Sequence, residues 1–174
     1  MKKIILLSLF ILFIFHPAAN AAEKDPTPSP VNYELPYPGI MPDSPLYTFK
    51  LLKEKVSDLL ISDPATKADF YLLQSNKRLA ASIIFFENGN QELGEKTLSK
   101  SLDYHEKAIN KMLEAKNAQD NVSGVFGQIK DSCRKHEEEI ERLKKEEIVK
   151  KSDLMTENEM RFEEMKNRVK TFSP

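Results

Sequence analysis

Apolar residues recur at intervals of three and four along most of the chain, and the breaks in the pattern fall at residues that start or stop helices. Asp43-Ser44-Pro45 offers a side-chain cap followed by proline at the first helical position, where the missing N–H costs nothing; it predicts a helix running to about Ile61. Ser62-Asp63-Pro64 repeats the signal. Ala68, Leu72, Leu79, Ile83 and Phe86 then follow a second stripe until Gly89 supplies a C-terminal stop. Asn90 opens a third helix, carrying Leu98, Leu102, His105, Ile109 and Met112 and fading near Ala118. Asp120, Asn121, Gly124 and Gly127 predict a connection, after which Phe126, Ile129, Cys133, His136, Ile140 and Leu143 keep a heptad-like spacing on a fourth helix. Beyond Ser152-Asp153, the seam of Asn158, Phe162, Met165, Val169 and Phe172 predicts a separate fifth.

Helices of this length, each with one apolar stripe and short connections, pack most simply as an antiparallel bundle, so the expected class is all-α. No strand pattern is sustained, since FYLLQ and ASIIFF sit inside helical-period runs without turn residues beside them. The outer face of the fourth helix places acids four residues before bases, at Glu138 and Arg142, Glu141 and Lys145, Glu146 and Lys150, and Glu147 and Lys151, pairs worth about 0.2–0.5 kcal/mol each.

The first 21 residues read differently. Lys2 and Lys3 precede an apolar run over residues 4–15, and Ala19-Asn20-Ala21 has the small residues of a signal peptidase site. A run this short rises roughly 18 Å as a helix against a hydrocarbon core of roughly 30 Å, so cleavage after Ala21 is expected and a retained anchor is not. Residues 22–45 form a proline-rich segment. EKDPTPSP reads as an extended spacer, whereas the following stretch interleaves its prolines with Tyr33, Leu35, Tyr37, Ile40 and Met41. This stretch is expected to dock, with Tyr33, Leu35, Pro36, Tyr37, Pro38 and Ile40 as the docking residues, and residues 46–174 to form the bundle.

Charge and candidate chemistry narrow the function classes. Loss of Lys2 and Lys3 leaves 24 basic against 27 acidic residues, a net charge that gives no footprint for nucleic acid or anionic lipid. Cys133 is the only cysteine, which excludes an internal disulfide and a lipid attachment near the signal peptide. Cys133 and His136 lie three apart on one helix face and, with His105, could serve a soft metal ion, yet they are also consecutive core positions. Neither histidine has a glutamate three residues before it, as carboxylate-bridged metal bundles require, and no haem-attachment or phosphate-cradling motif can be written. Met155, Met160 and Met165 read as core filler. Both mature histidines fall within apolar stripes, so no catalytic residue, cofactor or enzymatic activity is expected.

YELPYPGIMPDSPLYTFKLLKEKV, LLISDPATKADFYLLQSNKRLA, FFENGNQELGEKTLSKSLDYHEKAI and CRKHEEEIERL, spanning residues 33 to about 143, resemble a family of bacterial exported proteins known as a domain of unknown function. The proline-aromatic string ending in PDSPLY is the specific part, and the stretch after Lys144 lies outside the resemblance. The resemblance implies a helical, extracytoplasmic protein and carries over no activity, cofactor or catalytic residue. The FENGNQELGEKTLSKSL turn also looks like one tetratricopeptide-type hairpin, although Gly94 stands where a small packed alanine is usual. The leading expectation is a non-enzymatic interaction or structural protein, periplasmic or secreted, with a protein partner and no membrane insertion after cleavage. The alternative is a periplasmic metal or small-ligand binder using Cys133, His136 and His105.

Overall fold

The computed structural model describes residues 32–172; the expected signal peptide, cleavage site and spacer over residues 23–30 lie outside the described residues. Five helices follow in order, α1 (Tyr47–Leu60), α2 (Pro64–Glu87), α3 (Gln91–Asn117), α4 (Ser123–Lys145) and α5 (Asp153–Thr171), with no strand among the described residues.

Three helix starts follow their sequence signals. The Asp63 carboxylate accepts from the Thr66 N–H at 2.7 Å with Pro64 at the first helical position, and the Asn90 side chain accepts from the Leu93 N–H at 3.3 Å. The Ser152 hydroxyl accepts from the Met155 N–H at 3.0 Å, which makes α5 a separate helix. Gly89, at φ 76°, supplies the left-handed residue that ends α2, a conformation open to glycine at no steric cost.

Two starts differ from expectation. Asp43 caps nothing at α1; Ser44 and Pro45 close turns in which the Ser44 carbonyl accepts from the Tyr47 N–H at 3.0 Å, so the helix begins two residues beyond the proline. At α4, Gly124 and Gly127 lie inside the helix rather than in the connection. A turn there is made instead by Gln119, at φ 67°. The expected charge pairs shift for related reasons. Arg142 bonds Glu139, Glu146 and Glu87 in place of Glu138, and Glu146 and Glu147 lie past the end of α4, where Glu147 adopts φ 56°.

Consecutive helices of the bundle run antiparallel. α2 packs on α3 and α4, and α5 closes the other side against the same two helices. Alternate helices are therefore parallel: Asn76 meets Ser132 and Glu87 meets Arg142 along α2 and α4, while Ser99 meets Arg161 and Asn110 meets Arg168 along α3 and α5. Leu72, Leu79, Phe86, Leu98, Leu102, Met112, Ile129, Phe162 and Met165 form one core. Met155 joins it, but Met160 is 63% exposed and fills nothing.

α2 and α3 come into close contact at Gly94. A Cβ there would lie 2.6 Å from the Phe86 ring, nearer than atoms can come, so the glycine admits Phe86 to the helix backbone. The position that departs from the tetratricopeptide pattern is thus the one where Phe86 seats against α3.

Candidate functional site

Part of the proline-aromatic stretch lies against the helices. Asn76 Nδ2 donates to the Tyr33 hydroxyl at 2.7 Å, Leu35 packs against the core, Pro38 is buried and Pro36 is half-buried. Burial raises the Tyr33 pKa above its usual value. Tyr37 is instead 82% exposed and Ile40 is exposed, so neither supplies the expected contact. Leu35 and Pro38, both inward, are three apart, so the strict alternation that would have buried Tyr37 does not hold through this stretch. Lys50 fastens the end of the strap, its ammonium donating to the Pro38 and Ile40 carbonyls at 2.8 and 3.0 Å.

α1 departs furthest from the pattern. Its apolar stripe was expected to join the bundle, yet the only buried residue of the helix is Glu54. Leu46, Phe49, Leu52, Val56, Leu59 and Leu60 all face solvent, with Phe49 68%, Leu59 75% and Leu60 78% exposed. The inward face is polar. Glu54 Oε2 meets Arg78 Nη2 of α2 at 2.5 Å, and Asp58 accepts from the Tyr71 hydroxyl at 2.6 Å with Lys67 at 3.5 Å. Arg78 is itself buried, donates to the Gln74 carbonyl at 3.1 Å and lies over the Tyr104 ring at 4.1 Å. Two buried charges removed from water hold each other, because separating them would strand both in a poor solvent. This latch aims the polar side of the helix inward and thereby its apolar side outward. Reading the sequence missed Glu54 and Arg78; the one signal was the Gln74, Ser75, Asn76, Arg78 cluster inside an otherwise apolar run.

A second polar assembly lies inside the bundle. His136 and His105 are fully buried, with rings at right angles and centroids 4.9 Å apart. The Ser132 carbonyl lies 2.8 Å from His136 Nδ1 and can only accept, which places the ring hydrogen on that nitrogen. The Ser101 hydroxyl lies 2.9 Å from Nε2 and 2.8 Å from the Ser75 carbonyl, and the Ser75 hydroxyl lies 3.4 Å from Nε2, so the unprotonated nitrogen has two hydroxyls within reach. Ser132 in turn donates to Asn76 at 2.6 Å, so the chain of bonds runs from the strap tyrosine to the centre of the bundle. Burial lowers the His136 pKa to about 4. His105 makes no ring hydrogen bond of full geometry among the described residues, the Ile129 backbone offering a weak one; its pKa lies well below the ordinary value through burial and then through His136, with Ile129 opposing. Both imidazoles are neutral at pH 7.

Cys133 stands apart from this assembly. It is buried, and burial followed by the Glu137 charge pushes its thiol up to about 12, away from the thiolate that binds metal or attacks. The structure brings His105 and His136 together, but among the described residues no group of three or more His, Cys, Asp or Glu is placed to hold a metal ion.

Residues 39–170 match a family described as "Domain of unknown function (DUF5667)". The chain belongs to this family. The DUF5667 match begins at Gly39, after Tyr33, Leu35 and most of the strap, and runs through α5, so the stretch beyond Lys144 lies within the family and not outside it. No curated protein and no solved structure matches the chain.

Proposed function

We propose that the protein is a non-enzymatic interaction or structural protein of bacterial origin, exported by its cleaved signal peptide and working outside the cytoplasm. The observation that carries the interaction role is the outward apolar face of α1. A soluble domain rarely presents a contiguous apolar patch beyond a few hundred Å², and a larger one marks a contact surface. The interior supports the non-enzymatic part of the reading, because His136, Ser75, Ser101 and Ser132 turn their polar atoms on one another in a sealed core. Export rests on the residues outside the described region, the lysines, the apolar run and Ala19-Asn20-Ala21.

A photo-crosslinking residue at Leu59, compared with one at the exposed Glu92, tests the interaction role in producing cells. A covalent adduct at 59 in excess of that at 92 is expected, and equal capture at both positions counts against the reading. N-terminal sequencing of the same protein is expected to begin at Ala22, and recovery of intact Met1 refutes export by cleavage.

A further inference from the structure

Taking the outward face of α1 as the interaction surface, we propose that its occupant is an anionic lipid surface, on which the helix lies in the plane of the interface without crossing it. At 100° per residue, Leu59, Leu52, Val56, Phe49, Leu60 and Leu46 fill an arc of about 140°. That is the layout of a helix that sinks its apolar side about 5–10 Å into the boundary between headgroups and acyl chains. Among the described residues no helix is long and apolar enough to cross a membrane, which suits a helix that lies on one.

The charges of α1 select the surface. Its two acids are turned inward, Glu54 to Arg78 and Asp58 to Tyr71 and Lys67. Lys53 and Lys55 are exposed and have no ion pair among the described residues. What the helix shows to the outside is therefore an apolar stripe with free lysines, although the chain as a whole carries a slight negative charge. Net charge conceals this segregation.

The position of Lys53 argues for lipid over a second copy. By the same angular count it falls between Leu60 and Leu46, inside the apolar arc, while Lys55 borders the opposite edge. A dry helix pair would bury the Lys53 ammonium without a partner, and an antiparallel pair centred on the stripe, which sets like edges side by side, would bring Lys53 of one copy near Lys53 of the other. On a membrane the lysine stem lies along the acyl chains and its head reaches the phosphates. Lys50 pins the strap beside the Leu46 edge, which adds the exposed Tyr37, a side chain suited to the same interface.

The chain contains no tryptophan, so Phe49→Trp introduces a single reporter at the centre of the stripe in the whole protein. With vesicles of phosphatidylcholine containing one part in three phosphatidylglycerol, the emission is expected to shift to the blue and to be quenched by acyl-chain-brominated lipid. Adding Lys53→Glu and Lys55→Glu is expected to raise the lipid concentration for half-saturation at least ~tenfold with helix content unchanged, since each lysine near an anionic surface contributes to binding. An indole that remains solvent-exposed on these vesicles overturns the proposal, and so does one already blue-shifted without lipid. In the second case, dependence on protein concentration identifies another copy and independence identifies another segment of the same chain. Either keeps α1 as a contact face with a different occupant. An indole exposed with vesicles, at high protein concentration and in solubilised native envelope overturns both this proposal and the interaction role.

Discussion

α1 and α3 are both amphipathic helices with charged residues opposite an apolar stripe, and the two bury opposite sides. In α3, Leu98, Leu102, Ile109 and Met112 are inside and the lysines outside; in α1, a glutamate is inside and the leucines outside. The stripes are alike, so the difference lies in what each helix meets. α3 meets the apolar side of α2, whereas α1 meets Arg78, Tyr71 and Lys67 on another side of the same helix. A buried arginine offers a glutamate more than it offers a leucine, and one strong polar contact is enough to orient a short helix.

Removing that contact breaks the comparison most directly. Arg78→Met strands Glu54, a change that costs about 3–5 kcal/mol in a fully buried pair, and we expect it to free α1 while α3 stays folded. Hydrogen exchange reads the result: fast exchange at Val56 with slow exchange at Leu102 is expected, and protection retained at Val56 would show that the latch does not hold the helix. Adding Glu54→Leu to Arg78→Met should restore most of the lost stability, since no buried charge is left over. Next in size, Leu102→Ala should cost about 2–5 kcal/mol, whereas Leu59→Ala should stay within about 0.5 kcal/mol. Denaturation midpoints decide it, and similar losses at both positions would mean that α1 is covered in solution.

The histidine pair sharpens the contrast by tying stability to pH through the bundle alone. Because burial holds His136 at about 4 in the folded protein against about 6.5 unfolded, the unfolded chain takes up its proton first as pH falls. Stability is full above about pH 6.5 and declines toward pH 4. At pH 5 the loss from His136 is about 2 kcal/mol, and His105, also lowered, adds in the same direction. Urea unfolding at pH 7.5 and 5.0 measures it, with His136→Gln expected to flatten the dependence; equal midpoints at both pH values for the unaltered protein would contradict burial of the pair. The smallest effects concern the strap. Tyr33→Phe leaves Asn76 without its acceptor and should cost about 1 kcal/mol, while Tyr37→Ala should be silent, a ranking that denaturation curves of the two variants can reverse.

Helix number, their approximate limits and the core stripe of α2 through α5 were legible because the caps Asp63, Asn90 and Ser152 and the 3.6-residue period act locally. The direction of the α1 stripe was not. Periodicity marks which residues share a face and says nothing of what that face meets, and the decision fell to Glu54 and Arg78, 24 positions apart. The candidate site was legible to a similar degree. Tyr33 and Leu35 touch the helices, while Tyr37 and Ile40 face solvent, since the inward positions step by two from Tyr33 to Leu35 and by three from Leu35 to Pro38. His136 was legible as a core position, but its serine partners come from two other helices and carry no pattern of their own.

The close approach of Phe86 to Gly94 bears on how the chain reaches this structure. The two residues are near in sequence and flank the turn at Asn88–Asn90, so the contact closes a short loop at small entropic cost. Contacts of that kind form early, which makes the α2–α3 hairpin the expected nucleus onto which α4 and α5 assemble, with α1 attaching last through its ion pair. Phe86→Leu should therefore slow refolding nearly in proportion to the stability it removes, whereas Arg78→Met should act chiefly on the escape of α1. Stopped-flow refolding of the two variants would separate these cases, and a refolding rate insensitive to Phe86→Leu would place the nucleus elsewhere.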